Sequence, residues 1–199
     1  VLPYRELRVF EALRQHLHPG DVFVDAGANI GIFTVAAARC VGPTGRIIAV
    51  EMMPDTAEIL RETLTLNDVG NALVIERALA ARAGARVEAT VRDGHFGQAT
   101  IALGATQAGG RQVQVETTTL KDLLADYPTV ALMKMDIEGA ELDALRGAGS
   151  DLQKVNVILF EILDDNSKVP DYLNSMGFDI SKLDSRNRIA FNRQAGTSR

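Results

Sequence analysis

A glycine-rich turn after one apolar run, with an acidic residue 20 positions beyond it, is the first pattern in this 199-residue chain that bears on chemistry. The run Val22-Phe23-Val24 leads into Asp25-Ala26-Gly27-Ala28-Asn29-Ile30-Gly31, and Glu51 follows the apolar residues 47–50. Glycines between a strand and a helix let a ligand approach the backbone, and the unpaired N–H groups of the helix start face that ligand. An acidic side chain about 20 residues beyond such a turn is spaced to accept hydrogen bonds from an adenosine ribose. Together Asp25, Gly27, Asn29, Gly31 and Glu51 point to a nucleoside-containing cofactor. Asn29 stands in place of the middle glycine that a pyrophosphate needs, which disfavours NAD, and its carboxamide suits an amino or carboxyl group. Asp25 as a helix cap and Glu51 as a solvated strand end are the structural alternatives. A side chain placed at Gly27 is expected to exclude the ligand and leave the fold intact.

A second acidic group lies further along. Met133-Lys134-Met135-Asp136-Ile137-Glu138-Gly139-Ala140-Glu141 places Asp136 and Glu138 just after an apolar run, and Glu161 stands near the end of another at 155–162. Charges set in apolar strands are costly unless paired or functional. If the two runs are neighbouring strands, Asp136, Glu138 and Glu161 converge on one cleft. Glu138 can instead cap the helix that begins near Gly139, and Glu161 can pair with Lys134. Glu141, Asp143 and Arg146 fit the exposed side of that helix and carry no assigned role. His95 lies in the loop Gly94-His95-Phe96-Gly97, which is placed either to cover a substrate or simply at the surface. His16 and His18 fall at the end of the first helix, near its carboxyl-end dipole.

The elements that must hold these groups are legible in the hydrophobic pattern. Leu7, Phe10, Leu13 and Leu17 recur at helical spacing before Pro19-Gly20 stops them. Residues 22–24, 46–50, 73–75, 130–135 and 155–162 read as buried strands, with helices over 33–41, from 54 or 55 to 66, 119–124, 141–146 and 170–176 between or after them. Gly147 is expected to close the helix over 141–146. Strands alternating with helices predict an open, mostly parallel α/β sheet, covered on both faces, with ligands beyond the carboxyl ends of its strands. Strands near 178–180 and 188–191 are joined by a connection too short for a crossover helix, so they should be antiparallel. Residues 86–92 and 112–118 alternate apolar with polar, which predicts a β-rich insertion over 86–118. The chain is expected to be a single domain over 1–199, with an amino-terminal helix within 1–18 and a tail at 194–199.

Composition narrows the classes. With 21 Lys+Arg against 26 Asp+Glu, a net charge of minus 5, 46% hydrophobic residues and no basic block, the chain lacks the electrostatic footprint of a nucleic-acid binder. No apolar run reaches the roughly 18 residues of a membrane span. The single cysteine, Cys40, sits in an apolar run and reads as a core thiol. The chain starts at Val1 without a signal-like segment, so a cytoplasmic protein with a trimmed amino terminus, or part of a longer one, is expected.

Beyond these readings, 24–31, Val50-Glu51 with Pro54, Asn67, Ala78-Leu79, Thr118-Thr119-Leu120-Lys121-Asp122 and, above all, 133–141 resemble the FkbM family of methyltransferases. The resemblance runs from about Glu6 to Phe191. It implies a class I, Rossmann-like fold: a doubly wound, mostly parallel seven-stranded sheet with an antiparallel last strand. It also implies S-adenosyl-L-methionine as cofactor and a small-molecule acceptor, most often a hydroxyl of a sugar, polyketide or other metabolite. By this resemblance the 27–31 turn meets the methionine part, Glu51 the ribose, and Met52 the adenine, with core filling as the alternative for Met52; Ala78 approaches the adenine edge. Removal of an acceptor proton needs a base, for which Asp136, Glu138, Glu161 and His95 are the candidates. No metal is expected. N-methylation of an amine or amide, or a cofactor-binding domain without catalysis, are the competing readings.

Overall fold

The computed structural model describes residues 4–92, 99–101, 110–162 and 167–195. The first half alternates α1 (Tyr4–His16), β1 (Val22–Ala26), α2 (Ile32–Val41), β2 (Arg46–Val50), α3 (Pro54–Leu66) and β3 (Ala72–Ile75). Pro54 opens α3, where a helix has no use for an N–H and a fixed φ helps. Next come the short β4 (Ala78–Leu79) and the strands β5 (Arg86–Arg92), β6 (Ala99–Ile101) and β7 (Gly110–Thr118). The second half is α4 (Leu120–Leu124), β8 (Val130–Met135), α5 (Glu141–Ala148), a 3-10 segment (Gly149–Lys154), β9 (Val155–Glu161), α6 (Val169–Ser175), β10 (Phe178–Lys182) and β11 (Asn187–Asn192). Thr119 caps α4, its hydroxyl accepting from the Asp122 N–H at 3.1 Å.

The main sheet has seven strands in the order β10-β11-β9-β8-β1-β2-β3. β1 pairs in parallel with both β2 and β8, and β8 pairs in parallel with β9. β11 runs antiparallel to β10, as the short connection between them requires, and also to β9. Chain order reverses beside β1, so a crevice opens beyond the carboxyl ends of β8, β1 and β2. Side chains alternate between the two faces. Val24, Ala26, Met133 and Met135 pack with residues of α4, α5 and α6, whereas Phe23 and Leu132 pack with residues of α1 and α2.

A second sheet is ordered β4-β7-β5-β6, in which β5 is antiparallel to β6 and β7. β4 pairs in parallel with β7, a contact two residues are too few to announce by periodicity. Gly147 does not end α5: the helix continues to Ala148, and a Cβ at Gly147 would collide with the Ala80 carbonyl oxygen. Its absence lets the helix lie on the loop that follows β4. Cys40 is half-buried in α2, and burial pushes its thiol pKa up. None of the described helices is long and apolar enough to cross a membrane.

Candidate active site

The turn after β1 is fastened to the end of β2. Gly27, Asn29 and Gly31 adopt φ values of 81, 51 and 91°, a region that glycine enters freely and Asn tolerates. The N–H groups of Gly27 and Ala28 both donate to the Val50 carbonyl at 2.9 Å. The Asn29 N–H donates to Glu51 Oε2 at 3.0 Å, and the Met53 N–H donates to Glu51 Oε1 at 2.9 Å. Glu51 is therefore no solvated strand end; it is 9% exposed and joins the two strand-end turns. Burial raises its pKa, and the two N–H donors pull the other way.

Two residues expected at the cofactor lie behind the cleft wall. Asp25 has no exposed surface; its Oδ2 accepts from the Thr34 hydroxyl at 2.7 Å, and its Oδ1 lies 3.8 Å from Lys134 Nζ. Burial raises the Asp25 pKa, with the Lys134 ammonium acting against it. It caps no helix N-terminus, since Gly31 holds that position in α2. Ala78, 1% exposed, is packed with Met53, Ala89 and Val115, and Met52 is half-buried against the same cluster. Neither Asp25 nor Ala78 offers a surface to a ligand.

Gly27 also differs from expectation. A Cβ there would run into the Asp136 carbonyl oxygen and come within 2.9 Å of its carbon. The glycine thus lets the turn after β1 lie against the turn after β8, where the Asp136 N–H donates to the Ala26 carbonyl at 2.9 Å. A side chain at Gly27 disturbs the fold before it can exclude a ligand.

The second acidic group lies around the turn after β8, with partners other than those expected. Asp136 follows β8 with its side chain 42% exposed, and Lys134 Nζ donates to its Oδ2 at 3.5 Å. Glu161, 17% exposed, pairs with Arg186 at 3.1 Å and not with Lys134. Glu138 has a φ of 52°. Its pKa is raised by burial and then by the carboxylates of Asp136, Glu161 and Glu141, with Arg186 opposing. The capping imagined for Glu138 falls to Glu141, whose Oε1 accepts from the N–H groups of Ile137 and Gly139 at 3.1 and 3.3 Å. Glu141 is 5% exposed, contrary to its assignment to the exposed face of α5, and Asp143 Oδ2 accepts from the Ala81 N–H at 3.1 Å. Beside these groups a cleft of about 190 Å³ is lined by Gly139, Glu141, Leu142, Glu161, Ser167, Lys168 and Val169. His95 lies outside the described residues.

A model described as the methyltransferase FkbM domain matches residues 25–180. The chain belongs to the FkbM methyltransferase family. It is 29% identical over 187 residues to Methyltransferase 1 of Beauveria bassiana, a match covering 82% of this chain and 74% of that protein. It is 28% identical over 167 residues to the hexuronic acid methyltransferase AglP of Haloferax volcanii, covering 79% and 64% respectively. The crystal structure of methyltransferase FkbM from Methylobacillus flagellatus superposes with a TM-score of 0.57 at 17% identity, covering 94% of this chain and 59% of that one. The FkbM chain described here thus has the class I methyltransferase fold and is an S-adenosylmethionine-dependent methyltransferase.

The donor set fits that cofactor. A carboxylate accepts at about four lone-pair positions, and the Glu51 oxygens each receive one backbone N–H. The remaining positions suit a pair of ribose hydroxyls. In the sequence Glu141 falls on the exposed phase of a free helix, which hides its place at the turn after β8. The signal was an acidic residue one position into a helix that follows a glycine turn, where charge meets unpaired N–H groups. Lys134 was visible as a lone cation in an apolar strand, but its partner could not be read from one dimension.

Proposed function

We propose that this FkbM methyltransferase transfers the methyl group to a hydroxyl of a small metabolite, sugar or polyketide, with Asp136 as the carboxylate that orients the acceptor or takes its proton. The observation that carries this reading is the half-exposed Asp136 side chain at the end of β8, beside β1 and across it from Glu51, with Glu138 and Glu161 close by. When bound, S-adenosylmethionine supplies a sulfonium methyl that must be approached in line by the acceptor oxygen. Glu51 would hold the ribose hydroxyls, the 27–31 turn would meet the methionine part, and Met52 would border the adenine. The cleft at Gly139, Glu161 and Lys168 would receive the acceptor. The hexuronic acid methyltransferase among its relatives favours a sugar-derived acceptor.

The test is radiolabelled methyl transfer across a panel of hexoses, hexuronic acids, hydroxylated polyketides and amines, run on the parent chain, Asp136→Asn and His95→Ala. Turnover in Asp136→Asn should fall by about 10²–10⁴-fold, the worth of a general base, while affinity for S-adenosylhomocysteine is retained. Normal turnover in Asp136→Asn with collapse in His95→Ala would transfer the role to the histidine. Methyl transfer confined to amines would overturn O-methylation.

A further inference from the structure

A buried charge cluster lies beneath the cleft, behind the Asp136 carboxylate. Lys134 and Asp25 are register partners on β8 and β1, so their side chains leave the same face of the sheet, toward α2. Lys134 is 5% exposed, and its Nζ stands 4.9 Å from the centroid of the Phe33 ring. A buried Lys–Asp pair normally closes its own hydrogen bond. Here it does not: Nζ is 3.8 Å from Asp25 Oδ1, which has no hydrogen-bond partner, while the ammonium donates to Asp136 Oδ2 at 3.5 Å. Asp25 is held from its other side by the Thr34 hydroxyl at 2.7 Å. The ammonium is therefore anchored below and directed outward, to the carboxylate at the cleft.

We propose that Lys134 is a positioning residue for the transfer reaction, fixing the Asp136 carboxylate at the cleft edge while Asp25, Thr34 and Phe33 form its buried anchor. This inference rests on the reading of Asp136 given above. The carboxylates of Glu138 and Glu141 face Asp136 from the turn after β8 and from α5, while Glu161 on β9 faces Glu138 and is neutralised by Arg186. Among the described residues, Lys134 is the cation that hydrogen-bonds Asp136 against this repulsion. Without it the carboxylate has reason to swing into solvent, and a displacement of about 1 Å at a reacting group costs on the order of 10²-fold in rate.

The experiment compares Lys134→Met, the double variant Asp25→Asn/Lys134→Met, Asp136→Asn and Lys134→Met/Asp136→Asn. Thermal melting, kcat and KM at saturating cofactor with the panel acceptor that turns over, and the side-chain carboxyl 13C resonance of Asp136 are recorded. Lys134→Met leaves Asp25 buried without a counter-charge, so its melting temperature should drop by roughly 6–20 °C. The Asp25→Asn/Lys134→Met pair should recover most of that drop. A merely structural lysine predicts that kcat and the Asp136 resonance recover with it. A positioning lysine predicts that the resonance stays displaced and kcat stays down by about 10²-fold with KM for the acceptor little changed. The loss in Lys134→Met/Asp136→Asn should not exceed that of Asp136→Asn, since both act through one carboxylate. An Asp136 resonance at its parent position in Lys134→Met, or parental kcat in Asp25→Asn/Lys134→Met, overturns the inference. Parental kcat in Asp136→Asn instead overturns the function proposed for that carboxylate, and the resonance still decides whether Lys134 positions it.

Discussion

Glu51 is both a tie within the protein and the proposed ribose acceptor, so its removal should be felt twice. Glu51→Ala deletes the acceptors of the Asn29 and Met53 N–H groups, which lie 3.0 and 2.9 Å from its two oxygens. Hydrogen bonds to a charged group contribute about 1.5–3 kcal/mol each. The penalty for holding a carboxylate at 9% exposure disappears with the side chain, and water can reach the vacated edge of the cleft. A net loss of about 2–4 kcal/mol follows, which lowers the melting temperature of a domain of this size by roughly 4–16 °C. Loss of the ribose contact should weaken S-adenosylhomocysteine binding by a further 1.5–3 kcal/mol, about 10- to 150-fold. Melting of the ligand-free protein measures the first effect. Calorimetric titration well below the variant's midpoint measures the second, with Glu51→Gln as a variant that keeps one acceptor and stays nearer the parent in stability. Affinity within twofold of the parent in both folded variants would refute the ribose assignment, and an unchanged melting temperature would refute the tie between the turns.

Two further outcomes follow from the same geometry. Gly27→Ala should destabilise the ligand-free protein by about 2–4 kcal/mol, because it adds a positive-φ penalty to the collision with the Asp136 carbonyl; a parental melting curve would contradict this. Burial raises the Asp25 pKa above its ordinary 3.8, so folding favours the protonated form. Its contribution to stability is fully present below that ordinary value and is lost as pH rises through the raised folded-state value. The stability of Asp25→Asn relative to the parent should therefore improve as pH climbs above about 4, as read by urea melts at a series of pH values. A difference independent of pH would count against the raised pKa.

The architecture was readable because it rests on short-range patterns. Apolar runs at 22–24, 46–50, 130–135 and 155–162 read as buried strands, and the interval between Gly31 and Glu51 placed a turn and an acid at neighbouring strand ends. Periodicity of two and 3.6 residues survives in one dimension, as does the spacing of a strand, a turn and a helix. The partners of the charges did not survive there. Glu161 could have met Lys134 by strand adjacency, but Arg186 from the loop before β11 reaches it first, while Lys134 turns toward β1 and Asp136. Glu141 was assigned to solvent by helical phase, yet the preceding loop folds its Ile137 and Gly139 N–H groups onto it. Gly27 was assigned to a ligand, and the structure gives it to the Asp136 backbone 109 residues away. Composition and local spacing determine which elements form and which ends they share, because those depend on burial along one chain segment. Which carboxylate is buried, capped, paired or left facing the cleft depends on contacts between segments far apart in sequence, and only the packed sheet decides them.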